Sequence, residues 1–208
     1  VAVQGLYAVT PECADTSLLV NGVRQVLVGG AKVVQYRAKE ASAALRREQA
    51  RALSLLCAEF RVPLIINDWV DLALECGAQG VHLGNEDDSL AEVRQRLPKG
   101  QWLIGVSCYN SPQRAVLAQE AGADYVALGS FFTSSTKPNA VRATLEDLRA
   151  TRLQVQVPVV AIGGITLENA APLLQAGADA LAVITALFNA PDVAQAAREF
   201  CHLMEPTS

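Results

Sequence analysis

Apolar positions in this chain fall into short runs at near-regular intervals, and four of the runs share one grammar. They are VGGAKVVQYR from Val28, ECGAQGVHLG from Glu75, EAGADYVALG from Glu120 and QAGADALAVI from Gln175, each with Gly-Ala ahead of an apolar-rich run. A glycine suits the left-handed backbone that ends a helix, because it carries no Cβ to clash there, and the run behind it reads as a strand. Each repeat therefore predicts a helix end turning into a strand. Between the repeats lie further strand-like runs: GLYAVT from Gly5, VPLIIND from Val62, WLIGVS from Trp102 and VPVVAIGG from Val157. Eight strands are predicted in all.

Helical patterns fill most of the gaps, among them SAALRREQARALSLLCAEF from Ser42, SPQRAVLAQEAGA from Ser111 and DVAQAAREFCHLM from Asp192. Pro63 and Pro158 sit near strand starts, where a missing N–H is tolerated. The strand runs are apolar on both faces, as parallel strands covered by helices should be. Eight strand–helix units in 208 residues fit one (β/α)₈ barrel spanning residues 1–208, whereas an open doubly wound sheet uses fewer strands around a switch point. The equivalent glycines Gly30, Gly77, Gly122 and Gly177 are separated by 47, 45 and 55 residues. The longer last interval contains FFTSSTKPNA, from Phe131 to Ala140, between the sixth strand and a helix predicted to start near Leu145. That stretch is predicted to be an enlarged loop on the barrel face where strands end, the face that carries the chemistry of such barrels.

Composition narrows the function classes. A formal net charge of −4 gives no broad positive field, so sequence-tolerant binding to nucleic acid or to an anionic membrane has no electrostatic basis. No apolar run approaches the roughly 18 residues of a membrane-spanning helix, and the first residues lack the basic-then-apolar pattern of a signal peptide. Cys13, Cys57, Cys76, Cys108 and Cys201 are scattered and lack metal-ligand spacing, which reads as reduced thiols and a cytoplasmic location. The expected partners are small molecules.

Polar residues at the predicted strand ends are Gln35, Arg37 and Lys39, then Asn67 and Asp68, then Asn85, Glu86 and Asp87, then Ser107. Later strands add Ser134, Ser135, Thr136 and Lys137, then Gly163-Gly164, then Ile184-Thr185. Alternation puts Gln35, Arg37 and Lys39 on one face. Arg37 at the rim calls for an anionic partner, Lys39 has an ordinary one available in Glu40, and Lys137 adds a third cation. Asp68 and Asp87 end neighbouring strands. Their repulsion would be relieved by a hard cation such as Mg²⁺, while general acid–base work or capping of the helices that follow are the alternatives. Gly163-Gly164 and Thr185 occupy the place where barrels grip a phosphate with backbone N–H groups, and the hydroxyls of Ser134 and Thr136 fit the same purpose. Two anionic ligands, or two ends of one, are implied. His82 reads as strand packing and His202 as surface. No base accompanies Cys108, so no nucleophile is assigned.

Taken in order, VVQYRAKE, LIINDWVDLAL, GVHLGNED, IGVSCYN, DYVALGSFFTSSTK and AIGGIT resemble the motifs of the thiamine phosphate synthase family through nearly the whole chain. The resemblance implies a (β/α)₈ transferase that joins hydroxymethylpyrimidine diphosphate to a thiazole phosphate and releases pyrophosphate. It implies that Gln35, Arg37, Lys39, Asn67, Ser107 and Lys137 hold the pyrimidine diphosphate, with Arg37, Lys39 and Lys137 assisting catalysis. Asp68 and Asp87 would carry Mg²⁺. Ser134, Ser135, Thr136, Gly164, Ile184 and Thr185 would hold the thiazole phosphate. The chain departs from the family pattern in three places. The loop GSFFTSSTK lacks both usual prolines, which predicts a segment that orders over bound substrates. Trp69 stands where arginine often follows Asn-Asp, and Asn85 stands where glutamine is usual. A related thiazole tautomerase branch carries histidine at the position of Ser130, and a silent ligand-binding barrel is a further alternative.

Overall fold

The computed structural model describes residues 3–84, 89–133 and 141–205. Parallel strands β1 (Gly5–Val9), β2 (Val33–Tyr36), β3 (Leu64–Asn67), β4 (Gly80–Leu83), β5 (Leu103–Tyr109), β6 (Tyr125–Leu128), β7 (Val159–Ile162) and β8 (Ala180–Val183) pair in chain order. The sheet closes where β8 pairs with β1, Ala182 opposite Tyr7. Helices α1 (Thr16–Val28), α2 (Ala43–Phe60), α3 (Val70–Cys76), α4 (Leu90–Arg96), α5 (Pro112–Glu120), α6 (Leu145–Gln154) and α7 (Leu167–Gln175) connect successive strands. The one-turn α8 (Thr185–Phe188) and then α9 (Val193–Leu203) follow the last. The predicted (β/α)₈ barrel is the observed one, and all eight predicted strands are present. No helix among the described residues is long and apolar enough to cross a membrane.

Local chemistry explains the boundaries. Asp15, Ser42, Ser111 and Asp192 each accept a side-chain hydrogen bond from the N–H three residues on, so the helices begin where the sequence offers a cap. Thr144 and Asp147 form a reciprocal capping box at the start of α6. The Gly-Ala repeat ends helices as expected. Gly30 and Gly177 take φ of 103° and 101°, and the following Ala31 and Ala178 N–H groups reach back to Val26 and Leu173. All four repeats precede the even-numbered strands, so the barrel is built from four strand pairs.

In the last three repeats the residue after Gly-Ala fastens the end of the barrel opposite the strand termini. Gln79 Oε1 accepts from Leu64 N–H (2.9 Å), Asp124 Oδ2 from Ile104 N–H (2.8 Å) and Asp179 Oδ2 from Val159 N–H (2.7 Å). The segments leading into β4, β6 and β8 thereby hold the starts of β3, β5 and β7. Arg94 of α4 pairs with Asp124, and Arg152 of α6 pairs with Asp179. The main apolar core lies between sheet and helices, and a second, smaller one fills the barrel with Tyr7, Val9, Val33, Ile65, Tyr125, Val160 and Ala180.

Candidate active site

Inward positions of the strands change character toward their carboxyl ends. On β2 to β5 they carry Gln35, Asn67, His82 and Ser107, while on β6 to β8 they carry Ala127, Val160, Ile162 and Ala182. These residues, with Tyr7, Arg37, Tyr125 and Ile184, line a cavity of about 130 Å³ with one polar and one apolar wall. A flat heterocycle with a polar edge is the ligand shape such walls accept.

At the bottom of the cavity five polar side chains join across the barrel. Gln35 Nε2 donates to Tyr7 Oη (2.9 Å), and the Tyr7 and Tyr125 hydroxyls are 2.7 Å apart. The Tyr125 hydroxyl meets His82 Nδ1 (3.1 Å), and His82 Nε2 meets Ser107 Oγ (2.9 Å). Burial raises both tyrosine pKa values above the ordinary range, so the phenols stay protonated. Gly105 gives Tyr125 its room: a Cβ there would lie 1.9 Å from the ring.

Of the residues expected from the sequence, Gln35, Arg37, Asn67 and Ser107 line this cavity together. Lys39 does not. Strand β2 ends at Tyr36, so the alternation that would align Lys39 with Gln35 and Arg37 stops before reaching it. Lys39 Nζ instead pairs with Asp68 Oδ2 at 3.0 Å, and not with Glu40. Its backbone N–H donates to Glu12 Oε1 (2.6 Å), and the same oxygen lies 3.8 Å from Arg37, supplying the anionic partner that Arg37 needs. Thr10 Oγ1 accepts from Arg37 N–H (3.0 Å). Asp68 does not cap α3: Trp69 holds that position without a side-chain bond. Asp68 sits at φ 64°, a conformation aspartate tolerates better than most residues. The Trp69 ring stacks on the Arg46 guanidinium at 4.1 Å.

A second cavity of about 330 Å³ adjoins the first, sharing Ile162, Gly163, Ala182 and Ile184. Gly164, Thr166 and Thr185 also line it, and both α7 and the short α8 begin beside it, the arrangement with which barrels bind phosphate. Gly163 and Gly164 have a packing reason as well, because Cβ atoms there would meet Ser130 Oγ at 2.1 Å and the Thr133 carbonyl at 2.4 Å. Asp87, Ser134, Ser135, Thr136 and Lys137 lie outside the described residues, as do Asn85 and Glu86.

Sequence reasoning missed Tyr7, Tyr125 and Glu12, and assigned His82 to packing alone. The signal for the tyrosines was available: each stands at an inward position of an apolar strand, where a buried phenol needs a partner. Nothing in the sequence joins Glu12 to Lys39, because that bond spans two loops.

Asp68 offers hard oxygen donors at the rim, the type Mg²⁺ takes. Among the described residues no group of three or more metal-ligating side chains converges. Asp68 thus fits a hard cation completed by water and ligand phosphate.

A family model described as thiamine monophosphate synthase matches residues 6–187. A thiamine-phosphate synthase of Nitrosospira multiformis is 50% identical over 206 residues, covering 99% of this chain and 88% of the relative. One of Thiobacillus denitrificans is 52% identical over 199 residues, covering 96% and 94%. The solved structure of a thiamine phosphate pyrophosphorylase from Pyrococcus furiosus superposes with a TM-score of 0.86 at 36% identity, covering 97% of this chain and 95% of that one.

Proposed function

The chain belongs to the thiamine monophosphate synthase family, and from that premise we propose that it couples 4-amino-2-methyl-5-hydroxymethylpyrimidine diphosphate to 4-methyl-5-(2-hydroxyethyl)thiazole phosphate, or its carboxylated form. The products are thiamine phosphate and pyrophosphate, with carbon dioxide as well when the thiazole is carboxylated. The observation that carries this reading is the pair of adjoining cavities, one half polar and one bordered by helix starts, which matches two substrates that must meet.

In this reading the pyrimidine lies between the polar wall of Gln35, Asn67 and Ser107 and the apolar wall of Ala127, Val160 and Ile162. Its diphosphate points to Arg37 at the rim, and Lys39 and Lys137 would add positive charge toward it. Asp68 and Asp87 would hold Mg²⁺, which when bound offsets charge on the diphosphate. As the carbon–oxygen bond breaks, negative charge builds on the leaving group, and preplaced cations stabilise that change. The electron-rich aminopyrimidine shares the positive charge left on its methylene carbon. The thiazole nitrogen then attacks that carbon. Gly164, Ile184 and Thr185, with Ser134, Ser135 and Thr136, hold the thiazole phosphate so that the nitrogen faces the methylene, and this positioning supplies much of the rate. No protein nucleophile takes part.

The test supplies both phosphorylated precursors with Mg²⁺ and follows pyrophosphate and thiamine phosphate together. Equimolar release of the two supports the reading. Thiazole isomerisation without coupling, or binding without turnover, overturns it.

A further inference from the structure

The five linked side chains beneath the cavity allow a count of hydrogens. Tyr7 and Tyr125 are buried inside the barrel, and each hydroxyl has one hydrogen to give. Gln35 donates to the Tyr7 oxygen, so the Tyr7 hydrogen must go to Tyr125. The Tyr125 hydrogen then goes to His82 Nδ1, which must accept. On a neutral ring the imidazole hydrogen is therefore on Nε2, where it goes to Ser107 Oγ, and the Ser107 hydrogen is left to point into the cavity. The alternative fails at its far end. A hydrogen on Nδ1 would turn Tyr125 back onto Tyr7, and with the Gln35 amide oriented as in the structure, Nε2 toward Tyr7, the Tyr7 hydrogen would have no acceptor; only an amide turned over would give it Oε1.

We infer that Tyr7, Tyr125 and His82 are positioning residues whose hydrogen bonds run one way from Gln35 to Ser107, so that Ser107 presents a donor to an acceptor atom of the ligand. Gln35 keeps its Oε1 for a ligand donor. The two ends of the relay, on β2 and β5, thus offer an acceptor and a donor across one cavity and select a ligand edge of the complementary pattern. The relay stands on the protein's own geometry. Only the identification of the acceptor as a ring nitrogen or phosphate oxygen of the pyrimidine substrate rests on the proposed function.

The experiment reads the tautomer directly. The chain has two histidines, so His202→Gln, at an exposed position, leaves one imidazole to observe. Long-range proton–nitrogen spectra of the ligand-free, ¹⁵N-histidine-labelled protein should show His82 with its hydrogen on Nε2. Tyr125→Phe, which removes the donor to Nδ1, should shift the population toward the Nδ1–H form and lower kcat/KM for the pyrimidine substrate about tenfold. Tyr7→Phe removes the bond that obliges Tyr125 to donate to His82, so the Nε2–H preference should weaken, and an unchanged tautomer ratio would remove Tyr7 from the relay. A wild-type Nδ1–H spectrum overturns the inference without need of any variant. So does a Tyr125→Phe protein whose activity falls while its tautomer stays put, because a purely structural role would do that. If coupling of the two precursors is absent altogether, the spectra still decide the relay, and the two failures remain distinct.

Discussion

Replacing Gly105 by alanine tests how tightly the cavity depends on its support. The new Cβ would lie 1.9 Å from Tyr125 Cζ and 2.3 Å from its hydroxyl oxygen. Non-bonded carbons rest at about 3.5 Å or more, so the ring must withdraw by about 1.5 Å. The Tyr125 hydroxyl bonds at 2.7 and 3.1 Å cannot survive such a shift. Overpacking a well-filled interior costs about 1–3 kcal/mol, and two buried hydrogen bonds about 1 kcal/mol each, which gives a loss of about 3–5 kcal/mol. For a chain of this size that corresponds to a melting temperature lower by about 6–20 °C. Urea unfolding followed by circular dichroism measures the loss, and the cycle with Tyr125→Leu identifies its cause. With the ring gone the alanine has room, so its cost should fall below about 1 kcal/mol in that background. The reasoning is refuted if Gly105→Ala costs less than about 1 kcal/mol alone, or costs the same with and without the ring.

Three further outcomes are expected. Asp68→Asn keeps a residue that tolerates the left-handed backbone and an oxygen for the half-exposed Lys39, removing only the charge, so unfolding free energy should stay within about 1 kcal/mol while turnover falls about a hundredfold, measured by pyrophosphate release. Gly164→Ala brings a Cβ to 2.4 Å from the Thr133 carbonyl at φ 64°, and it should raise KM for the thiazole phosphate more than KM for the pyrimidine diphosphate in steady-state kinetics. Burial pushes the Cys57 and Cys108 thiols up to about 12 from an ordinary value of 9.0. Each stays protonated in the folded chain while ionising in the unfolded one, so stability is full below pH 9 and falls as pH rises toward 12, by up to about 1.4 kcal/mol per unit for each thiol. Denaturation at pH 8 and pH 10 checks this.

The barrel was legible because its signals are local. The Gly-Ala repeat marks helix ends through backbone conformation, and Ser42, Ser111 and Asp192 mark helix starts through caps, so element order could be read without any long-range contact. Gln35, Asn67 and Ser107 were legible for the same reason, being polar residues at the ends of apolar strands. Lys39 shows where that logic stops, since counting alternate residues assumes a strand that continues, and β2 ends three residues earlier. The Tyr7–Tyr125 contact joins residues 118 apart in sequence and depends on which strands close the barrel, information held by no single segment. The bonds of His82 to Tyr125 and Ser107 likewise reach other strands, so the sequence alone shows no more than a histidine on an apolar strand.

The carboxylates at the far end of the barrel have a consequence for how such a chain can be cut or lengthened. Asp124 joins the start of β5 to the guanidinium of Arg94, which belongs to the preceding strand pair, and Asp179 does the same for β7 through Arg152. The pairs are therefore sewn head to tail. Severing the polypeptide between α4 and β5 would strand Arg94 in one fragment and its counter-charge in the other, so the halves would carry matched ends that favour their own reunion over pairing with strangers. Insertions of a lone strand and helix would break this seam, whereas whole two-strand blocks would preserve it.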